Sequence, residues 1–149
     1  MSHRGRVLAL DLGDVRIGTA LSDSLGITAQ PLGTLERIGP RKDLKRIEGL
    51  VSEHEARIVI VGYPLLMSGE EGNSAAEARE FAEALRKRLR GVDVELWDER
   101  LTTVEAERTM ITGGATRRQR RKRVDTVAAV LILQSYLDSK SLEGGGAGR

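Results

Sequence analysis

Residues 7–14, VLALDLGD, decide how the rest of the chain is read. An apolar run from Val7 to Leu12 carries one carboxylate, Asp11, and is broken by Gly13 before Asp14. A short apolar run bounded by glycine reads as a strand buried on both faces, in the middle of a sheet. An ionised carboxylate at the end of such a strand is costly unless a cation or hydrogen-bond donors meet it. Asp11 therefore points to a metal, a phosphate-proximal site or a salt bridge. Asp-Leu-Gly-Asp is also turn chemistry, and on this stretch alone the two readings weigh the same.

Outward from this strand, Ile17–Ser22 (IGTALS) reads as a second strand. Ile27–Leu35, which contains Pro31 and Gly33, reads as a third, at an edge. Their short connections make an antiparallel meander. From Asp43, the residues Leu44, Ile47, Leu50 and Val51 recur at helical spacing to about His54. Ile58–Val61 (IVIV) is a further buried strand, stopped by Gly62, Tyr63 and Pro64. Leu65–Gly72 reads as a loop. Asn73 or Ser74 with Glu77 resembles a capping box for a helix with the stripe Ala78, Phe81, Ala82, Leu85 and Leu89, ending at Gly91. Val92–Trp97 (VDVELW) alternates as a strand and runs into Asp98, Glu99 and Arg100, with Trp97 expected in the core. Thr102 with Glu105 starts another helix, to Gly113 and Gly114. A basic block and an all-round apolar helix, Val124–Leu137, follow.

Helix-crossed connections make the fourth and fifth strands parallel to the first. The expected fold is α/β, a five-stranded mixed sheet of three antiparallel and then two parallel strands flanked by helices. One domain spans residues 1–140, and the Gly-rich tail, 141–149, is expected to be disordered. In such sheets ligands bind at the carboxyl ends of strands where the winding direction changes. Asp11 and the pair Asp98 and Glu99 stand at such ends. Asp125, one residue into the buried helix, is a third acid; alone it would merely favour a helix N-terminus. Converging, the three would suit two divalent cations about 3.5 to 4 Å apart, the arrangement that drives in-line attack on a phosphodiester.

The 149 residues include no Cys, so any metal is held by oxygen or by His3 and His54, neither of which is placed as a ligand. Oxygen donors favour Mg2+ or Mn2+. There is no apolar run of about 18 residues, and the start, MSHRGR, lacks the apolar segment of a signal peptide. The expectation is a soluble, cytoplasmic protein with no membrane partner. Net charge is +2, yet Arg117, Arg118, Arg120, Arg121, Lys122 and Arg123 hold six positive charges, which leaves the remainder of the chain at −4. A basic block between structured segments suits nucleic acid. With aromatics at 3%, the grip must be on phosphate rather than on stacked bases. Arg100, Thr102 and Thr103 could hold phosphate at a helix start, although capping accounts for the threonines as well.

Four segments together carry a resemblance: ALDLGDVRIGTALSD (9–23), VGYPLLMSGEEGNSA (61–75), WDERLTTVEAE (97–107) and RKRVDTVAAVLILQSYLD (121–138). In this order they resemble the YqgF/RuvX family, described both as Holliday junction resolvases and as pre-16S rRNA nucleases. The resemblance implies a ribonuclease H-like fold and a cytoplasmic nuclease of ribosome biogenesis acting on structured RNA, with branched DNA as the alternative. It carries the acidic site onto Asp11, Glu99 and Asp125, with Asp98 the substitute for its neighbour. Two departures stand out. Val15 replaces the family's usual Lys, so Arg16 must carry that phosphate contact. Leu66, Met67, Ser68 and Gly69 stand where Asn-Met-Asp-Gly is usual, which weakens any case for a polar ligand from that loop. The first phosphate loop of actin-like ATPases also resembles DLGDVRIG, but those enzymes need two such domains and this chain is too short. A non-catalytic RNA-binding assembly factor is disfavoured, because unneutralised carboxylates repel phosphate. No stretch announces a dimer interface, and the oligomeric state stays open.

Overall fold

Strand alternation sorts the sheet residues to two faces, and different helices cover each face. The computed structural model describes residues 5–102 and 127–141. Its strands are β1 (Arg6–Leu12), β2 (Arg16–Ser22), β3 (Ala29–Glu36), β4 (Ala56–Tyr63) and β5 (Asp93–Asp98), in the order β3-β2-β1-β4-β5. β1 pairs antiparallel with β2 and parallel with β4; β2 pairs antiparallel with β3, and β4 parallel with β5. This is the expected mixed sheet, with the VLALDL strand at its centre.

One face carries Leu8, Leu10, Ile17, Leu21, Val59, Val61 and Val94. They pack on Leu44, Ile47 and Val51 of α1 (Pro40–His54) and on Ala78, Phe81, Ala82 and Leu85 of α2 (Asn73–Arg88). The other face carries Val7, Ala9, Ala20 and Ile60, covered by Ala128, Ala129, Ile132, Leu133, Tyr136 and Leu137 of α3, residues 127–141. Each large aliphatic side chain buried in these layers contributes about 1.5 to 3 kcal/mol. α3 is also tied to the β2–β3 connection, where Gln134 accepts from Ala29 N (3.1 Å) and donates to Ile27 O (3.2 Å).

Local chemistry moved several boundaries. β1 stops at Leu12, because Gly13 N donates to Arg16 O (2.8 Å) and closes the turn into β2. β3 starts at Ala29, since Asp23 Oδ1 accepts from Ile27 N and Thr28 N (2.7 and 3.2 Å) and holds them in the turn. These backbone donors also lower the pKa of Asp23. α1 begins at Pro40, where the missing N–H costs nothing, rather than at Asp43. Asp43 lies inside the first turn, 1% exposed, accepting from Ile38 N (3.0 Å) and Arg37 Nε (3.4 Å). The expected capping box on α2 does not form: the N-cap is Gly72, with no side-chain cap bond, and Glu77 turns instead to Arg37 (3.2 Å). α2 ends at Arg88, short of Gly91, whose positive φ of 71° makes the turn towards β5. Gly62 and Tyr63, expected as a stop, belong to β4 and pair with Trp97 and Asp98.

The expected helix from Thr102 to Gly113–Gly114, the basic block and residues 124–126 of the last helix lie outside the described residues, as does the tail beyond Ser141.

Candidate active site

The site is built where β1, β4 and β5 end. Asp11 is the penultimate residue of β1, opposite Gly18 of β2, and is only 2% exposed. Strand alternation places it with Val7 and Ala9, on the face that α3 covers. On the same face β4 offers Gly62. A Cβ there would lie 2.6 Å from Glu99 Oε2 and 2.7 Å from Ile132 Cδ1. The absent side chain of Gly62 is the space that the Glu99 carboxylate and the α3 side chain occupy.

Glu99 opens a single turn of 3-10 helix, Glu99–Leu101, immediately after β5. Asp98 Oδ1 caps that turn by accepting from Arg100 N (2.9 Å), and Thr102 closes it by donating from N (3.0 Å) and Oγ1 (2.8 Å) to Glu99 O. The turn separates two consecutive carboxylates. Asp98 pairs with the Arg100 guanidinium, whose Nη2 donates to Oδ2 at 2.8 Å and whose Nε lies 3.1 and 3.2 Å from the two oxygens. That contact holds the Asp98 carboxyl below its usual pKa. Glu99 faces away from this pair, into a cleft of about 380 Å³ that Asp11 also lines.

The remaining walls of the cleft are the β1–β2 turn (Gly13, Asp14), Pro64 and Leu66 after β4, and the first residues of α2 (Asn73, Ser74). Arg37 braces two of these walls: Nη1 donates to Gly13 O (3.0 Å) and to Glu77 Oε2 (3.2 Å) in the first turns of α2, while Nε rests on buried Asp43. The α2 N-terminus presents backbone N–H groups and the positive end of its dipole to the same hollow as the two acids. A cleft with carboxylates on one wall and a helix N-terminus on another can hold a phosphate bridged by a cation.

Of the residues expected from sequence, Asp11 and Glu99 come together. Asp98 is committed to Arg100 and does not line the cleft. Arg100 is thereby an ion-pair partner, and Thr102 closes the turn. Arg16 is 7% exposed, and its Nε is the sole buried side-chain nitrogen or oxygen without a hydrogen-bond partner among the described residues. Trp97 is half-buried, edge-on to Tyr136 (centroids 5.5 Å, 87°), with Nε1 donating to Ser135 Oγ (3.2 Å). Asp125, Thr103, Arg117, Arg118, Arg120, Arg121, Lys122 and Arg123 lie outside the described residues. Sequence reading missed Gly62 and Arg37. The first looked like a strand stop, and the second gains its role only from partners in three other segments.

The donors fit Mg2+ or Mn2+. Asp11 and Glu99 offer hard oxygens to one cleft, and Gly62 leaves the room that Glu99 takes up. Among the described residues no cluster of three or more His, Cys, Asp or Glu side chains could hold a metal. No described helix is long and apolar enough to cross a membrane.

Known proteins match this chain over most of its length. The family described as RuvX, Holliday junction resolvase, matches residues 5–139. A protein of Clostridioides difficile (strain 630) named "Putative pre-16S rRNA nuclease" is 43% identical over 136 residues, 91% of this chain and 96% of its own length. One of the same name from Myxococcus xanthus (strain DK1622) is 48% identical over 134 residues, 90% of this chain and 88% of its own. Among solved structures, Thermus thermophilus RuvC in complex with a Holliday junction substrate superposes with a TM-score of 0.58 at 15% identity. That match covers 92% of this chain and 97% of RuvC, a likeness of fold. With the RuvX model matching residues 5–139, relatives 43–48% identical over about nine-tenths of the chain, and the mixed β3-β2-β1-β4-β5 sheet shared with RuvC, the chain belongs to the RuvX (YqgF) family of nucleases, on the ribonuclease H-like fold.

Proposed function

We propose that this chain is a divalent-metal-dependent nuclease of the cytoplasm that hydrolyses phosphodiester bonds in structured nucleic acid, with precursor 16S rRNA as its substrate. The observation that carries the reading is the meeting of Asp11 and Glu99, 88 positions apart in the chain, across the space that Gly62 leaves in one cleft. Hard carboxylate oxygens from two segments presented to one cleft are the kind of donor that Mg2+ and Mn2+ take.

In this reading Asp11 and Glu99, joined by Asp125 from the start of the last helix, hold Mg2+ or Mn2+. The bound ion supplies Lewis-acid polarisation of the phosphoryl oxygen and lowers the pKa of the attacking water. The protein's own groups orient the substrate. The α2 N-terminus at Asn73 and Ser74 faces a phosphate oxygen, as helix N-termini do with anions. Pro64 forms the apolar wall on that side of the cleft. Arg37 sets the spacing between the β1–β2 turn and α2, and so the width available to the strand. Arg16, a buried cation with an unsatisfied Nε, gains a partner when phosphate enters beside β1 and β2. The block Arg117–Arg123 grips backbone phosphates outside the cleft.

Branched DNA is the second reading, favoured by the description of the family as a Holliday junction resolvase. The deciding experiment incubates the purified chain with Mg2+ or Mn2+ and either precursor rRNA or a four-way DNA junction, with Asp11→Asn alongside. Cleavage of the RNA that Asp11→Asn abolishes supports the proposal. Cleavage of the junction alone replaces the substrate, and metal-dependent binding without cleavage of either would make the chain a binding module.

A further inference from the structure

The loop of residues 64–72, between β4 and α2, holds apolar side chains out into solvent beside the catalytic cleft. Leu66 lines the cleft and is still 51% exposed; Met67, next to it, is 92% exposed. Single apolar residues scattered on a surface need no explanation. This pair differs because its loop is stiff. Leu65 N donates to Tyr63 O (3.0 Å), Gly69 N to Leu66 O (2.8 Å) and Leu66 N to Glu70 O (2.9 Å). Glu71 anchors the outer arm, accepting from Tyr63 Oη (2.7 Å) and from Arg79 Nε and Nη2 (2.7 and 3.3 Å).

The tip is also in register with the catalytic acids. A Cβ on Gly69 would lie 3.4 Å from Arg100 Nη1, and Arg100 is held by Asp98, the residue before Glu99. The loop thus rests on the same turn that aims Glu99. A strand whose phosphodiester lies at Asp11 and Glu99 runs past Leu66, which forms part of that cleft's wall, and Met67 is the next residue along the loop.

Resting on the nuclease reading above, we infer that Leu66 and Met67 form an apolar wedge that enters the base stack next to the scissile phosphate. Leu and Met serve this purpose in nucleic-acid binding because an apolar side chain can replace one base-stacking surface without needing a hydrogen-bond partner. In a chain with 3% aromatic residues, two aliphatic side chains on a fixed loop take the place of a stacking ring. The consequence is a preference for steps that are easily unstacked, at bulges, loops and branch points, over continuous duplex.

The test uses 2-aminopurine, whose fluorescence rises when it leaves a base stack, placed beside the cleavage site of a bulged RNA and, in a second arm, of a four-way DNA junction. Asp11→Asn protein, which binds without cutting, should raise the fluorescence severalfold. The same protein carrying Leu66→Ser and Met67→Ser should bind with the rise abolished, and Met67→Leu should restore most of it. In the cleaving chain the double serine variant should lose about tenfold in kcat on the stacked substrate. It should lose less than about threefold when the flanking base is replaced by an abasic site, which needs no unstacking. Both side chains are exposed, so the melting temperature of the variant should match the parent. A fluorescence rise that survives the double substitution, or equal slowing on stacked and abasic substrates, overturns the wedge while leaving the nuclease reading intact. Failure of the parent to bind any nucleic acid with either metal present overturns both.

Discussion

The two ends of the same sheet carry hollows of opposite character. At the amino ends of the strands a groove of about 970 Å³ runs between the C-terminal ends of α1 and α2, lined by Glu48, Glu55, Arg57, Arg88 and Arg90 among others. At the carboxyl ends the cleft holding Asp11 and Glu99 is about 380 Å³. The larger hollow is chemically ordinary: its charges are of both signs and exposed or half-buried, and Arg88 pairs with Glu48 across 3.0 Å. The smaller one contains a carboxylate 2% exposed, a second acid and a helix N-terminus. Size does not mark the candidate site here; the convergence of two acids and a helix N-terminus on one cleft does.

The comparison would break first at the acids. On the proposed function, Asp11→Asn, Glu99→Gln and Asp125→Asn are each expected to lower kcat by at least about a thousandfold in a cleavage assay, with unchanged circular dichroism, because each would remove a metal ligand. As members of one unit, any two combined should cost little more than one. Arg57→Gln with Arg90→Gln, at the opposite end, should leave kcat within about twofold. Loss of activity there would move the site to the wrong end of the sheet.

Gly62→Ala sharpens the comparison with a single methyl group. The added carbon would sit 2.6 Å from Glu99 Oε2 and 2.7 Å from Ile132 Cδ1, so both must shift. Overpacking of this kind costs about 1 to 3 kcal/mol of stability. Denaturant unfolding should show that loss, with kcat falling about tenfold or more as Glu99 is displaced. Wild-type activity in Gly62→Ala would mean that Glu99 need not stay where the structure puts it.

A smaller effect separates the two neighbouring acids. Asp98→Asn should lower kcat far less than Glu99→Gln and act chiefly on stability, by freeing Arg100 and the loop resting on it. Because Arg100 lowers the Asp98 pKa, the stabilisation is complete above the ordinary carboxylate range and is lost as pH falls through the lowered value. The melting-temperature gap between wild type and Asp98→Asn should therefore be constant above about pH 5 and narrow as the pH falls below the ordinary carboxylate value of about 3.9. A gap that stays constant as the pH falls through and below the ordinary carboxylate range would rule out this ion pair as its source. The smallest expected effect on chemistry belongs to the basic block. Arg118→Gln with Arg121→Gln should flatten the slope of log K against log salt by about 1.4 to 1.8 while leaving kcat at saturation nearly unchanged.

The run VLALDL announced the central strand because continuous apolar character is itself the condition for burial on both faces, and the order of elements then dictated the sheet. Asp11 was legible for the same reason, as the one charge in that run. Glu99 was legible only as one of a pair: residues 98 and 99 are both acids at a strand end, and nothing local distinguishes them. The tertiary structure separated them. Arg100 folds back on Asp98 while Glu99 turns to the face of α3, a difference made by one turn of 3-10 helix. The capping box of α2 failed in the same way. Glu77 had the right spacing, but Arg37, forty positions earlier, is a stronger partner than a backbone N–H. Gly62 looked like a stop, and only the approach of Glu99 and Ile132 revealed it as a space. The sequence by itself determined the sheet, its central strand and the acid buried there, because burial and periodicity are properties of neighbouring residues. Which carboxylate faces the cleft, and what makes room for it, was decided by contacts between residues far apart in the chain, which no local pattern contains.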